Sequence, residues 1–230
     1  MRTTLAALLA ITALSPLAVQ AQKESHATDR LDAATDVLKD MMHADDKGIP
    51  QDLMNKANCV VVVPNMKKAG FIFGAKYGRG FATCRKASNS GWTAPAGIRI
   101  EGGSFGLQIG GTEQDAVILV MNERGMKHLR ESKFTLGGDA TVAAGPVGRN
   151  ASAQTDATMH AEMLSYSRAR GIFAGISLDG ATLRPDDSAN KELYGTDPGN
   201  RTILTSDVKA PPAARSLAAT LNHESPHEEK

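Results

Sequence analysis

Between positions 59 and 85 the chain carries Lys67, Lys68, Lys76, Arg79 and Arg85 with no acidic residue among them. Ammonium and guanidinium groups at this density suit phosphate-type anions, because both bring charge-assisted donors. These five are the candidate anion-binding residues. The plainer alternative is a solvated sheet edge, where lysine blocks unwanted strand pairing.

Other residues offer other chemistry. Cys59 and Cys84 flank the same stretch. An even pair in an oxidising compartment is a disulfide candidate, and a bridge closing a loop of this size contributes roughly 3 kcal/mol by the chain-entropy model. The alternative is two buried free thiols. A zinc site needs more ligands than this pair supplies.

Gly102-Gly103-Ser104-Phe105-Gly106 matches the hydrolase elbow Gly-x-Ser-x-Gly. That chemistry needs a strand, a sharp turn and a helix, with histidine and acid partners downstream. His128, His160, Asp139 and Asp156 are present, but the residues after Ser104 read as strand. No catalytic residue is assigned, and a serine hydrolase using Ser104 is the lesser alternative. The histidines are scattered, with His223 and His227 beside acids near the end, so no metal or cofactor is expected. Gly74, Gly78 and Gly80 lack the Gly-Lys-Ser/Thr triplet of a phosphate loop.

The elements that must position these groups follow from patterning. Leu31, Ala34, Leu38, Met41 and Met42 recur at helical spacing, with Thr28 or Asp29 as cap. Their apolar face suits the core, or alternatively a membrane interface. Pro50 opens a second short helix with Leu53, Met54 and Ala57 inward. Cys59 to Val63 is a β-branched run typical of a buried strand, and Pro64-Asn65 is expected to break it. A second strand follows through Phe73 and Ala75, and Gly78 and Gly80 are expected to reverse the chain around Arg79. Trp92 to Ile100, Gly102 to Gly111 and Ala116 to Met121 read as further strands. Glu123 to Glu131 is a helix capped by Asn122, and Phe134 to Ala144 returns to strand. Met163 to Arg168 and Ile172 to Leu178 form a hairpin around Arg170-Gly171, and Asp179-Gly180 makes another hairpin turn. Asn190 to Tyr194 is a short helix stopped by Gly195. Beyond Pro198 the chain is less regular, apart from a helix over Ala213 to Leu221, and its polar last residues from Asn222 read as disordered. The fold class is α+β: a curved antiparallel sheet or partly closed β-barrel with packed helices, in one domain.

At the start, Arg2 precedes an apolar Leu5 to Leu14, Pro16 breaks the run, and Val19-Gln20-Ala21 ends on a small residue. This is the pattern of an export signal cleaved after Ala21, which implies a periplasmic or secreted product. The domain then spans residues 22–198, with a tail over 199–230. The whole chain has 26 Lys+Arg against 25 Asp+Glu, so net charge supports neither nucleic-acid binding nor strong attraction to a membrane. Any anion site must come from local clustering.

The ordered blocks also resemble a known family. Val60-Val61-Val62-Val63-Pro64, Lys67-Lys68-Ala69-Gly70 and Gly74-x-x-Tyr77-Gly78-x-Gly80 are similar to the SYLF domain, also called the Ysc84-type actin-binding or lipid-binding domain. The resemblance continues through Ser104 to Gly110, Ala116 to Met121, Gly138 to Gly148, Tyr166 to Gly175 and Asn190 to Gly195, covering roughly residues 28 to 195. It implies binding to phosphoinositides or other anionic lipids at a membrane surface. Eukaryotic relatives are linked to actin, and bacterial members are mostly envelope proteins. For an exported protein actin is an unexpected partner. An envelope protein partner is the alternative to lipid.

Overall fold

The computed structural model describes residues 26–44, 48–70, 73–105, 110–148 and 160–227. The leader read over residues 1–21 lies outside them. Six helices are present among the described residues: α1 (Ala27–Met42), α2 (Gln51–Lys56), α3 (Glu123–Leu129), α4 (Asp187–Tyr194), α5 (Asn200–Thr205) and α6 (Arg215–Glu224). The strands are β1 (Cys59–Gly70), β2 (Phe73–Cys84), β3 (Ala96–Phe105), β4 (Gly110–Val120), β5 (Phe134–Thr135), β6 (Val142–Ala144), β7 (Met163–Ala169), β8 (Ile172–Gly175) and β9 (Ala181–Pro185).

They form one curled sheet in the order β5-β9-β3-β2-β1-β4-β7-β6, with β8 also paired to β7. Every ladder is antiparallel except β6 with β7. β5 and β6 occupy opposite edges, yet only residues 136–141 join them. That short link requires the edges to approach, and the result is the expected partly closed barrel within one domain.

The curl explains the unbroken apolar runs in β1 and β4, because strands covered on both faces lose the polar alternation of a half-exposed sheet. Val61, Val63, Ile98, Ile100, Ile118 and Leu183 fill the inside of the curl. Val60, Val62, Phe81, Val117 and Leu119 face outward beneath α1, α2 and α6. Leu31, Leu38 and Met41 of α1 are buried in that outer layer, so the apolar face of the first helix belongs to the core and is closed to a membrane. Its cap differs from expectation. The N-cap is His26 without a side-chain bond, and Glu192 of α4 accepts from the Ala27 amide at 2.8 Å. The Asn122 cap is present, accepting from the Gly125 amide at 2.9 Å.

Two expected breaks prove to be continuous strand. β1 runs through Pro64-Asn65 as a bulge, one extra residue against both neighbours, with Asn65 at φ 50°. A bulge tolerates proline because no ladder donor is needed there. The freed Asn65 amide donates to Asp115 Oδ1 at 2.9 Å. Likewise Gly78 and Gly80 do not turn the chain. They lie within β2, where a Cβ on Gly78 would press into Val63 and Met66.

Other expectations divide. The Arg170-Gly171 turn joins β7 to β8 with φ of 49° and 78°. The Asp179-Gly180 turn instead delivers β9 to β3, so it closes no hairpin with β8. The glycine-dense segment from Gly102 divides between the end of β3 and the start of β4. After Pro198 the chain adds α5, a 3-10 turn (Pro212–Ala214) and α6. Leu204, Leu217 and Leu221 are buried, and the polar end is described through His227.

Candidate functional site

The hairpin ladders give the sheet two ends. At one, Cys59 and Cys84 are direct partners across β1 and β2 and form a disulfide. At the other, here the distal end, lie the tips of β1–β2, β3–β4 and β7–β8.

The five basic residues do not share one surface. Arg85 is buried at the disulfide end. Its Nε donates to Ala57 O at 3.0 Å, Nη2 to Asn55 O at 3.1 Å and Nη1 to Ser225 O at 3.0 Å. Its guanidinium lies 4.4 Å from the Trp92 ring centroid, and Trp92 Nε1 donates to the same Ser225 carbonyl at 3.0 Å. Arg85 therefore staples α2 and the end of α6 to the sheet. Arg79 donates from Nε to Asp186 Oδ2 at 2.5 Å and from Nη2 to Ser188 at 2.6 Å. Burial alone would raise the Asp186 pKa, but the Arg79 and Ser188 hydrogen bonds with the Arg79 charge hold it below the ordinary carboxylate value. Asp186 also caps α4, so Arg79 anchors that helix.

The three lysines do gather at the distal end. Lys67 lies on the outer face, 3.8 Å from Glu113. Lys68 and Lys76 are direct cross-strand partners. They face inward, because Lys76 alternates in step with Gly78, Gly80 and Ala82, and Ala82 lies in the inner core. The bulge decides this. Val63 and Met66 both point inward although three residues apart, so the extra residue turns Lys68 inward and Lys67 outward.

Direct partners of like charge repel, with Cβ atoms about 5 Å apart. Lys76 is only 9% exposed. Burial, and then the Lys76 charge, pull the Lys68 pKa below the ordinary lysine value. Among the described residues neither lysine has a carboxylate partner. Thr112 pairs with Lys68 from β4, and Gln114 lies two residues along on the same face. The Gln114 amide nitrogen is buried without a hydrogen-bond partner. The outer face differs: Arg79, Arg168 and Arg184 all meet acids, with Arg168 2.7 Å from Asp115 and Arg184 2.7 Å from Glu101. Three outer arginines thus meet acids, whereas among the described residues neither Arg99, the cross-strand partner of both Arg79 and Arg184, nor the inner lysine pair does. At the inner mouth of the curl, two ammonium groups, an amide and a hydroxyl can receive an anion with several oxygens.

Ser104 lies on β3 opposite Gly74, and the strand runs on through Phe105. The strand, turn and helix of a nucleophile elbow are not formed over the described residues, and residues 106–109 lie outside them. Among the described residues no group of three metal-ligating side chains clusters, and no helix is long and apolar enough to cross a membrane. A cleft of about 630 Å³ opens at the disulfide end beside Lys86, Arg130 and Asp207, away from the lysine pair.

A family model described as Ysc84, Las17-binding protein actin regulator, matches residues 101–224. The chain belongs to the Ysc84 family. It is 32% identical over 179 residues to Protein YSC84 of Saccharomyces cerevisiae, covering 76% of this chain and 38% of that protein. LAS seventeen-binding protein 3 of the same yeast is also 32% identical over 179 residues, covering 76% of this chain and 39% of that protein. SH3 domain-containing YSC84-like protein 1 of Mus musculus is 36% identical over 178 residues, covering 77% and 52%. The chain thus spans about half or less of the curated relatives it matches. Of these three, LAS seventeen-binding protein 3 is named as a binding protein, and none is named as an enzyme.

The Ysc84 match also corrects an expectation. For a chain that reads as exported and whose net charge is near zero, actin is not the expected partner. The family description names an actin regulator, and the yeast relative is named for binding Las17. A net charge summed over the chain says nothing of how charge is divided between faces, and here the two faces of one sheet differ.

Residues that sequence reasoning missed are Thr112 and Gln114. Period-two alternation back from Ala116 would have placed both on the inner face of β4. No sequence signal sets them beside Lys68, since that depends on the bulge.

Proposed function

We propose that the chain is a non-catalytic binding module that takes anionic lipid headgroups at the distal end of its curled sheet, through Lys67, Lys68 and Lys76. The observation that carries this is the Lys68–Lys76 pair: two facing ammonium groups, half-buried or more, with no acid to balance them among the described residues. Such a pair is costly without an anion and favourable with one. Arg79 and Arg85, engaged with Asp186 and with backbone carbonyls, act on the fold in this reading. The export signal read over residues 1–21 belongs to the proposal and would set the module against a periplasmic or external lipid face.

The test is flotation of residues Gln22–Lys230, which contain every described element, with vesicles of graded anionic content at two salt concentrations. Binding should rise with anionic content and fall with salt. Lys68→Gln with Lys76→Gln should remove most of it. Flotation that ignores both salt and these substitutions would refute the assigned pair.

A second reading is a protein-binding module whose partner is of the actin-regulatory kind. The family description, an actin regulator, and the name of LAS seventeen-binding protein 3 favour it. Cosedimentation with actin filaments, by protein that fails to float with vesicles, would move the assignment there.

A further inference from the structure

We propose that the cleft at the disulfide end is a second binding site, for a small organic carboxylate whose head lies at Arg130 and whose apolar body lies on Met126 and Leu204. The site is independent of the headgroup reading, which uses the opposite end of the sheet. The cleft measures about 630 Å³, a size suited to a compact organic ligand. One wall is α3. Glu123, Met126 and Arg130 stand at i, i+3 and i+7, so they form one stripe along that helix, and all three line the cleft. Leu129 is buried with the inner core instead. A Cβ on Gly125 would lie 2.8 Å from a Val120 methyl and 3.0 Å from the Glu162 carbonyl oxygen, so α3 sits hard against its neighbours and the stripe is held in place. The end of α5 and the residues after it, from Leu204 to Asp207, supply further lining.

The charges in the cleft are unequally served. Arg85 is engaged with the carbonyls of Ala57, Asn55 and Ser225. Lys86 Nζ lies 2.9 Å from Asp207. Arg130 is half-buried, meets no acid among the described residues, and has its Nε buried without a hydrogen-bond partner. A guanidinium that has lost water from one edge binds an anion at its remaining donors more strongly than a fully solvated one does. The class of anion follows from the neighbours. Glu123 and Asp207 also line the cleft, so a dianion meets two carboxylates for this one guanidinium, and a monoanion is repelled less. Met126 and Leu204 add apolar surface that a bare inorganic ion leaves unused.

The experiment titrates isotopically labelled protein, residues Gln22–Lys230, with sodium hexanoate and follows the amide resonances. Those of Met126, Arg130 and Ser206 should shift and saturate, with a dissociation constant of about 1 mM for a ligand of this size. Arg130→Gln should weaken binding about tenfold or more with the urea midpoint unchanged. Ala87→Glu adds an acid at an exposed position of the cleft and should also weaken it, without touching α3. Lys68→Gln with Lys76→Gln should leave it unchanged. N-acetylleucine presents the same carboxylate on a peptide-like body, so whichever of the two acids binds tighter tells a chain end from a free acid. Three results would overturn the site: no saturation by about 20 mM, unchanged affinity in both cleft variants, or inorganic phosphate binding as tightly as hexanoate. Vesicle flotation depends on none of these, so the two sites stand or fall separately.

Discussion

The carbonyl oxygen of Val62 occupies the space that a side chain on Gly80 would need. A Cβ built on Gly80 lies 1.9 Å from that oxygen and 2.7 Å from Val63 Cα. Both close atoms are backbone, so no rotamer change relieves the contact. The β1 bulge and the β2 glycines are one device, in which the extra residue brings the β1 backbone over a strand that lacks Cβ atoms there.

Gly80→Ala should therefore destabilise the fold by about 3 kcal/mol or more, at the severe end for a single methyl. The urea midpoint of the purified variant measures it. A loss under about 1 kcal/mol would mean that β1 and β2 separate more easily than their packing implies.

Removing the guanidinium of Arg85 leaves the carbonyls of Ala57 and Asn55 without their Arg85 donor, leaves Ser225 O with Trp92 Nε1 alone, and uncovers the Trp92 ring. Arg85→Met should cost about 2–4 kcal/mol, the range for stripping a charged partner from several buried acceptors. Vesicle binding should persist wherever the variant stays folded. Binding lost by a protein with an unchanged melting curve would return Arg85 to the headgroup site.

The lysine pair gives a pH dependence of definite sign. Lys68 titrates below its ordinary value of 10.5, so its folded state holds the proton less tightly than its unfolded state. The folded protein therefore gains stability as pH rises from that lowered pKa to 10.5. At neutral pH the charged pair is a liability, from a few tenths of a kcal/mol to about 1 kcal/mol for like charges directly opposite each other. Lys68→Gln should slightly raise the urea midpoint at pH 7, and the advantage should vanish above pH 10.5. Anionic-vesicle binding should run the other way, with the parent losing affinity as Lys68 deprotonates. A variant that is less stable than the parent at pH 7 contradicts an unsatisfied pair.

Much of this architecture is legible in the chain. The Val60 to Val63 and Ala116 to Val120 runs announce strands covered on both faces, Asn122 announces its cap, and Arg170-Gly171 announces a hairpin. Errors arose where a local signal has two physical uses. Proline with asparagine makes a turn or a bulge, and spaced glycines make a reversal or a close approach. Only the neighbouring strand decides between them. The helix at Asn200 was invisible for a related reason. It is held by Asn190, which accepts from the Gly97 amide at 2.8 Å, and by Asn200, which donates to Gly97 O at 2.9 Å. Those partners are about a hundred positions apart in sequence, and no window along the chain contains them. The lysines were found by composition, but their division into an outer one and an inner pair depends on a single inserted residue.

The first helix and the last one pack against each other over the outer face of the sheet. Ser225, at the end of α6, receives both Arg85 and Trp92. The order of synthesis is therefore at odds with the order of assembly. While α6 is still being made, Val62, Phe81 and Leu119 have no complete roof, and α1 has only α4 among its helix neighbours in place. Without α6 the outer face of the sheet is only half covered. Truncations that remove Ser225 should therefore be far more damaging than the polar residues around it suggest, because Arg85 and Trp92 both donate to it.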